Sequence, residues 1–234
     1  MCHGLPLFLN KLPFAFVGGI TPLTTFVLVL LALSPCLYKA WKDPRPRRIT
    51  RWVAYAYMCG FLFGWHVHEK ASLHFVIPLA IVAVQSMDDA RHYFMLSIVS
   101  CYSIFPLLFE AQEYPIKVVL LLLHSILIWL GFSALFANAA AVEATSVKKG
   151  DVELERNASF STAAREGEFT VNWLEKGYLV GMVIVEIWGQ FLHPLFLDDK
   201  LPFVPLMLIS IYCTIGVMYS WIWQLKMIVR SVDL

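Results

Sequence analysis

The chain has 234 residues, a formal net charge of +1 and a strongly apolar composition. Hydrophobic residues make up 59% and charged residues 15%, whereas soluble domains average about 45–50% and 25%. The mean hydropathy of +0.68 is equally apolar. A soluble fold of this size has too little interior for so many apolar side chains. The composition indicates a polytopic membrane protein and excludes soluble enzymes, secreted disulfide scaffolds and nucleic-acid-binding proteins.

Seven stretches nearly free of Asp, Glu, Lys and Arg follow one another along the chain. A helix needs about 20 apolar residues to cross the hydrocarbon, within a range of about 17–25. Continuous apolar runs do not fit the alternating strands of a membrane barrel. We therefore predict an all-α fold, one polytopic membrane bundle over 1–234. Its seven predicted transmembrane helices are 14–38, 52–67, 71–87, 93–109, 118–138, 177–195 and 202–225.

The basic residues divide unevenly between the two sides that seven spans define. In membrane proteins the cytoplasmic side carries an excess of Lys and Arg. We therefore assign the side with more Lys and Arg to the cytoplasm, which predicts a lumenal N-terminus and a cytoplasmic C-terminus. Thirteen fall on the richer side: Lys39, Lys42, Arg45, Arg47, Arg48, Arg51, Arg91, Lys148, Lys149, Arg156, Arg165, Lys226 and Arg230. Four fall on the other: Lys11, Lys70, Lys117 and Lys200; Lys176, at the edge of a span, is left out of the count.

The segment 143–172 is the one long loop between the predicted spans. It mixes Lys, Glu, Ser, Thr and Gly with little apolar content, so we expect a flexible cytoplasmic loop. It contains a glycosylation sequon at Asn157, which the predicted topology places on the side where no glycan is attached.

The densest polar cluster is Trp65-His66-Val67-His68-Glu69-Lys70, at a predicted exoplasmic turn between two short spans. Two imidazoles, a carboxylate and an ammonium could bind a phosphate or move a proton. The alternative is an interfacial cap in which Trp65 anchors in the aromatic belt. A zincin motif is excluded, since it would need a histidine where Ser72 stands, and we expect no metal site here.

Further polar residues lie near the same predicted membrane face. Glu110 and Glu113 could hold sugar hydroxyls, or simply form a solvated turn. Glu186 is a carboxylate inside a predicted span, and such a group usually faces a polar cavity or a partner such as His193, two turns on. The Asp88-Asp89 pair lies on the opposite face and is interpreted as a solvated turn.

The stretch Phe61–Ala71, FLFGWHVHEKA, resembles the signature of the dolichyl-phosphate-glucose-dependent α-1,3-glucosyltransferases of the endoplasmic reticulum. Three supporting stretches are ITPLT from Ile20, WKDP from Trp41 and FPLL from Phe105. Within that family the chain resembles the enzyme that adds the second glucose more closely than the enzyme that adds the first. The resemblance implies the C-terminal part of a GT-C type glycosyltransferase in the endoplasmic reticulum membrane.

The resemblance also implies chemistry. Glucose would pass from dolichyl-phosphate glucose to the lipid-linked oligosaccharide Glc1Man9GlcNAc2-PP-dolichol with inversion, without a cofactor or metal. His68 and Lys70 would bind the donor phosphate, and His66, Glu69, Glu110, Glu113, Glu186 and His193 would be neighbours of the substrate site. The family's catalytic acidic residue belongs to an early lumenal loop without counterpart here, so no general base is assigned. We therefore expect the 234 residues alone to be inactive.

Three other functions remain open from the sequence. The chain could correspond to the enzyme that adds the first glucose to Man9GlcNAc2-PP-dolichol. It could be a non-catalytic membrane fragment. It could also be a transporter-like subunit, which would place paired polar residues at mid-membrane. For the glucosyltransferase, the expected partners are dolichyl-phosphate glucose, the lipid-linked oligosaccharide and endoplasmic reticulum membrane lipid, and no nucleic acid.

Overall fold

The computed structural model describes residues 21–65, 67–107, 113–147, 169–197, 201 and 203–230. Within these ranges every regular element is helical and no strand is present. The helices are α1 (Pro22–Lys42), α2 (Ile49–Phe63), α3 (Leu73–Ala83), α4 (Met87–Ile104), α5 (Tyr114–Val147), α6 (Trp173–Ile187), α7 (His193–Leu197) and α8 (Val204–Arg230). Short 3₁₀ turns lie at Pro46–Arg48, Glu69–Ser72 and Phe105–Leu107, and a π-helical turn at Trp188–Leu192 joins α6 to α7.

Local sequence explains where two of the long helices begin. The Thr21 side chain accepts a hydrogen bond from the Thr24 backbone N–H, and the Thr24 hydroxyl accepts one from the Thr21 backbone N–H. Pro22 occupies the first turn of α1. Asn172 and Glu175 form the same reciprocal capping box at the start of α6. Such boxes satisfy backbone N–H groups that have no partner inside the helix, so both helices start at a defined residue.

Helix α4 lies at the centre of the bundle, with α8 packed along it. Eleven of the 18 residues of α4 are buried, and the helix contacts α3, α5 and α8. Helix α8 contacts α1, α2 and α6 as well. By contrast, α5 and α6 leave long rows of leucine, isoleucine and valine exposed. Exposed apolar faces of this length are what a lipid-facing helix presents.

Two tyrosines lock α6 against α8 at glycine positions. The Tyr178 hydroxyl donates to the carbonyl of Tyr212 at 2.7 Å, and the Tyr212 hydroxyl donates to the carbonyl of Tyr178 at 2.8 Å. Their rings stack with centroids 4.6 Å apart. A Cβ on Gly181 would meet the Tyr212 hydroxyl, and one on Gly216 would meet the Tyr178 hydroxyl. Small residues therefore allow this close helix contact, as is common in membrane bundles.

Every predicted transmembrane segment overlaps a helix of the structure. Among the described residues, four helical stretches are long and apolar enough to cross a membrane: Pro22–Lys42, Tyr114–Ala139, Trp173–Phe196 and Val204–Arg230. The second, third and fourth predicted spans correspond to helices of 15, 11 and 18 residues. The 11 residues of α3 cover only about 17 Å, less than the hydrocarbon thickness of about 30 Å. The number of seven spans therefore remains a prediction.

The predicted flexible loop 143–172 is too long at both ends. Helix α5 continues to Val147, and Phe169 is 2% exposed, with its ring against those of Phe94 and Trp129. Val171 is buried as well. The low apolar content averaged over the whole segment concealed two hydrophobic residues that reach the core. Residues 148–168, which include Asn157, lie outside the described part of the chain.

Candidate functional site

The histidine-rich turn connects α2 to α3. Helix α2 ends at Phe63, and Gly64 caps it with its N–H donating to the carbonyl of Gly60 at 2.9 Å. A Cβ at Gly64 would lie against that carbonyl oxygen, so the tight exit from the helix requires glycine. His68 precedes the 3₁₀ turn Glu69–Ser72, and its carbonyl accepts from the Ala71 N–H at 2.9 Å. The turn is thereby defined at both ends by the backbone.

His68 and Lys70 are both exposed on this turn. The turn itself is anchored from beneath, because Ser72 is 1% exposed and accepts a 2.7 Å hydrogen bond from the Ser100 hydroxyl of α4. His74 contacts the carbonyl of Ala71 at 3.1 Å. An imidazole and an ammonium group on a turn that is anchored to α4 can both donate hydrogen bonds to an anionic group. His66 and the Glu69 side chain lie outside the described residues.

Glu186 forms a second polar centre, between α4, α5 and α6. The buried Tyr102 hydroxyl donates to Glu186 Oε2 at 2.7 Å, and the Tyr114 hydroxyl interacts with the same carboxylate. The expected partner, His193, instead packs its ring edge-on against Trp188, with centroids 5.4 Å apart. The π-helical turn between Glu186 and His193 changes the helical register, which is why a count of two regular turns misplaced the pair.

His193 keeps one unsatisfied ring nitrogen. It is 5% exposed, and its Nε2 has no hydrogen-bond partner among the described residues. Glu113 is half-buried just before α5, and Glu110 lies outside the described part. Lys117, one turn into α5, donates to the carbonyl of Phe105 at 3.3 Å. The polar residues predicted for this face therefore divide among separate local environments.

Helix α4 separates the histidine-rich turn from the Glu186 centre. Ser100 contacts the turn and Tyr102 contacts Glu186. Two residues along an α-helix differ by about 200° in direction and 3 Å in height. The two centres therefore lie at the same end of the bundle, on opposite sides of α4. We call this end the turn end.

The opposite end, which we call the basic end, holds a buried ion pair that the sequence did not suggest. Arg51 Nη2 lies 2.7 Å from Asp89 Oδ2, and the Asp89 side chain is 4% exposed. Asp89 also accepts from the Ser86 hydroxyl at 2.8 Å. The interpretation of Asp88-Asp89 as a solvated turn is wrong for Asp89. The sequence did contain one sign that Asp89 is part of a helix start: Ser86 lies three residues before it, which is the spacing of a helix-capping signature.

Metal binding has no support in the described residues. No three His, Cys, Asp or Glu side chains there come together as a possible metal site. The prediction of a metal-free site still remains a prediction, because His66 and the Glu69 side chain are not described.

A sequence model of the ALG6, ALG8 glycosyltransferase family matches residues 6–224. The chain belongs to this family. The assignment agrees with the resemblance carried by Phe61–Ala71, and together with the apolar helices it confirms the predicted class, a multi-pass helical membrane protein of GT-C type.

Relatives from distant organisms agree in name. An Arabidopsis thaliana protein is 63% identical over 216 residues, which are 92% of this chain and 40% of the relative. A Bos taurus protein is 34% identical over 206 residues, 87% of this chain and 34% of the relative. A Dictyostelium discoideum protein is 31% identical over 216 residues, 91% and 33% of the two chains. Each relative is named dolichyl pyrophosphate Glc1Man9GlcNAc2 alpha-1,3-glucosyltransferase.

The chain thus spans about a third to two fifths of the length of these curated relatives. Within the matched region lie both the histidine-rich turn and the Glu186 centre.

Proposed function

We propose that this chain belongs to an enzyme of the endoplasmic reticulum membrane that transfers glucose from dolichyl-phosphate glucose to Glc1Man9GlcNAc2-PP-dolichol, in α-1,3 linkage. The observation that carries the proposal is the 63% identity over 216 residues to the Arabidopsis thaliana relative of that name. The basic end would face the cytoplasm by the positive-inside rule, and the turn end would then face the lumen.

The chemistry follows from a phosphate leaving group at the membrane surface. The donor carries a β-linked glucose, so a single displacement inverts the anomeric carbon and forms the α-linked product. The bond from glucose to phosphate breaks as the acceptor hydroxyl attacks, and negative charge develops on the departing dolichyl phosphate. The Lys70 ammonium and an N–H of the His68 imidazole would stabilise that charge, since preorganised hydrogen-bond donors act most strongly where charge develops.

The support for these two roles is their placement. Both side chains are exposed. The turn that carries them is anchored by the hydrogen bond from Ser100 to Ser72 and follows the helix end capped by Gly64. A lipid phosphate can therefore approach them from the membrane surface without displacing core residues. A general base must also remove the proton of the acceptor hydroxyl, and no residue of this chain is assigned to that role.

The test is a chimera of the Arabidopsis thaliana relative in which the 216 matched residues come from this chain. It would be expressed in cells that lack the endogenous enzyme. Membranes would receive radiolabelled dolichyl-phosphate glucose with either Man9GlcNAc2- or Glc1Man9GlcNAc2-PP-dolichol. We expect labelled product only from the acceptor that already carries one glucose. Product from Man9GlcNAc2 alone would assign the chain to the first glucosylation step instead, and no product from either acceptor would contradict the proposal.

Single substitutions in the same chimera test the turn. His68→Ala and Lys70→Ala should each lower transfer by about 10²–10³, the usual loss when one contact to a developing charge is removed. His74→Ala is the matched control, because His74 is an exposed histidine nearby that stacks on Tyr57. Near-normal turnover of His68→Ala and Lys70→Ala would show that the turn does not contact the phosphate.

A further inference from the structure

A cavity opens at the basic end, away from both polar centres of the turn end. Its volume is about 650 Å³, within the range of about 300–1,000 Å³ typical of small-molecule sites. It lies where α6 begins and α8 ends, beside the first turn of α4. Arg91, on its wall, is about 17 Å along α4 from Tyr102. The lining residues are Asp88, Arg91, Thr170, Val171, Asn172, Trp173, Glu175, Lys176, Tyr219, Trp223, Lys226, Met227 and Arg230.

The charge of this wall is positive. Among the described lining residues, four cations (Arg91, Lys176, Lys226 and Arg230) stand against two carboxylates. The carboxylates already have partners. Asp88 pairs with Arg91 at 3.2 Å, and Glu175 accepts from the Asn172 N–H at 3.2 Å and from the Tyr219 hydroxyl at 3.4 Å. The remaining positive charge is therefore available to an anion.

Arg91 is one of the cations that line the cavity. Arg91 Nε is buried and has no hydrogen-bond partner among the described residues, although its Nη1 contacts Asp88. Its Nη2 contacts Met87 Sδ at 3.2 Å. The Arg91 side chain lines the cavity, and Arg binds phosphate well because its fork presents several donors at once.

The surroundings of the cavity are those of a membrane surface. Both flanking helices are among the four that can cross a membrane. Trp173 is 75% exposed at the first residue of α6, and Trp223 lines the cavity from α8. Tryptophans concentrate at headgroup level. Leu174 and Ile222, the sequence neighbours of Trp173 and Trp223, expose apolar surface along which an acyl chain could lie.

We propose that this cavity binds the headgroup of an anionic glycerophospholipid from the leaflet at the basic end. Its phosphate would contact Arg91 and the ammonium and guanidinium groups of Lys226 and Arg230, while its acyl chains lie along α6 and α8. Basic pockets between transmembrane helices are known to bind such headgroups. The site is independent of the proposed glucosyl transfer and lies at the other end of the bundle from its candidate residues.

The experiment measures lipid binding by the full chain in detergent micelles, by native mass spectrometry during titration. The probes are phosphatidylinositol, phosphatidylcholine and inorganic phosphate. We expect retention of phosphatidylinositol, little retention of phosphatidylcholine, and no competition by millimolar phosphate. Equal retention of the two lipids, or displacement of phosphatidylinositol by phosphate alone, would overturn the proposal, since the first indicates no charge recognition and the second a site for a free anion.

Variants locate the binding. Lys226→Gln with Arg230→Gln should weaken phosphatidylinositol binding by about tenfold or more, because each cation near the surface contributes about 1 kcal/mol. Lys176→Gln is a milder second variant, should the double variant fail to fold. Lys39→Gln with Lys42→Gln is the matched control, because it removes equal charge from the end of α1, outside the cavity lining. Equal weakening by the control, or none by the cavity variants, would contradict the assignment.

Discussion

The Tyr102 hydroxyl donates a 2.7 Å hydrogen bond to Glu186 Oε2 and so joins α4 to α6 across 84 positions of sequence. Tyr102 is 2% exposed, so water does not replace this donor easily. The contact gives an intramembrane carboxylate the partner that such groups require. It also keeps Glu186 near the start of α5, where Tyr114 interacts with it.

Tyr102→Phe should therefore destabilise the bundle by about 1–3 kcal/mol, the usual consequence of leaving a buried polar group unsatisfied. The measurement is the thermal unfolding midpoint of the purified chain in detergent. Tyr93→Phe is the control, because Tyr93 is on the same helix and packs its ring edge-on against Phe132. If the two variants unfold at the same temperature, the hydrogen bond does not support the fold.

Two adjacent aspartates should differ sharply in their contribution to stability. Asp89→Asn removes the negative charge that pairs with Arg51, and the Asp89 side chain is only 4% exposed. Breaking a buried pair leaves an uncompensated charge, which costs about 3–5 kcal/mol; the partial exposure of Arg51 (16%) favours the lower figure. The Asp88 side chain is 73% exposed, so Asp88→Asn should change stability by less than about 1 kcal/mol.

Denaturant unfolding in mixed micelles would compare the two aspartate variants. The double variant Arg51→Met with Asp89→Leu should lose less stability than the two single changes together, since it leaves neither charge alone. Equal losses for Asp88→Asn and Asp89→Asn would contradict the buried ion pair.

Two glycines one turn apart on α6 should respond oppositely to alanine. A Cβ at Gly181 would meet the Tyr212 hydroxyl, whereas one at Gly177 would have nothing within 4 Å. Gly181→Ala should therefore displace Tyr212 and lower stability by about 1–3 kcal/mol. Gly177→Ala should be neutral or stabilise by up to about 1 kcal/mol, because alanine favours the helix more than glycine does. A Gly181→Ala variant as stable as wild type would show that α6 and α8 do not require the reciprocal tyrosine contact.

The orientation of the bundle is testable through Asn157. Arg51, Arg91 and Lys226 lie at one end of the structure, and the positive-inside rule assigns that end to the cytoplasm together with residues 143–172. Asn157 should then carry no glycan when the chain is made in microsomes. A gel mobility shift that endoglycosidase removes, and that Asn157→Gln abolishes, would reverse the topology.

The family resemblance rested on a local pattern, which explains why sequence was sufficient for it. The turn Gly64–Lys70 lies between two helices, and its order in the chain is also its order in space. The capping glycine, the exposed His68 and the exposed Lys70 all follow from that local order. The phosphate contacts proposed for His68 and Lys70 remain predictions.

The sequence by itself determined the membrane class and the succession of helices, because apolar runs and charge distribution are properties of consecutive residues and bilayer thickness limits their length. Only the tertiary structure decided which polar groups meet. Asp89 faces Arg51 across 38 positions and Tyr102 faces Glu186 across 84. Those pairings depend on the rotation of each helix about its axis. Rotation is set by the packing of whole side-chain surfaces, which spacing along one helix does not encode.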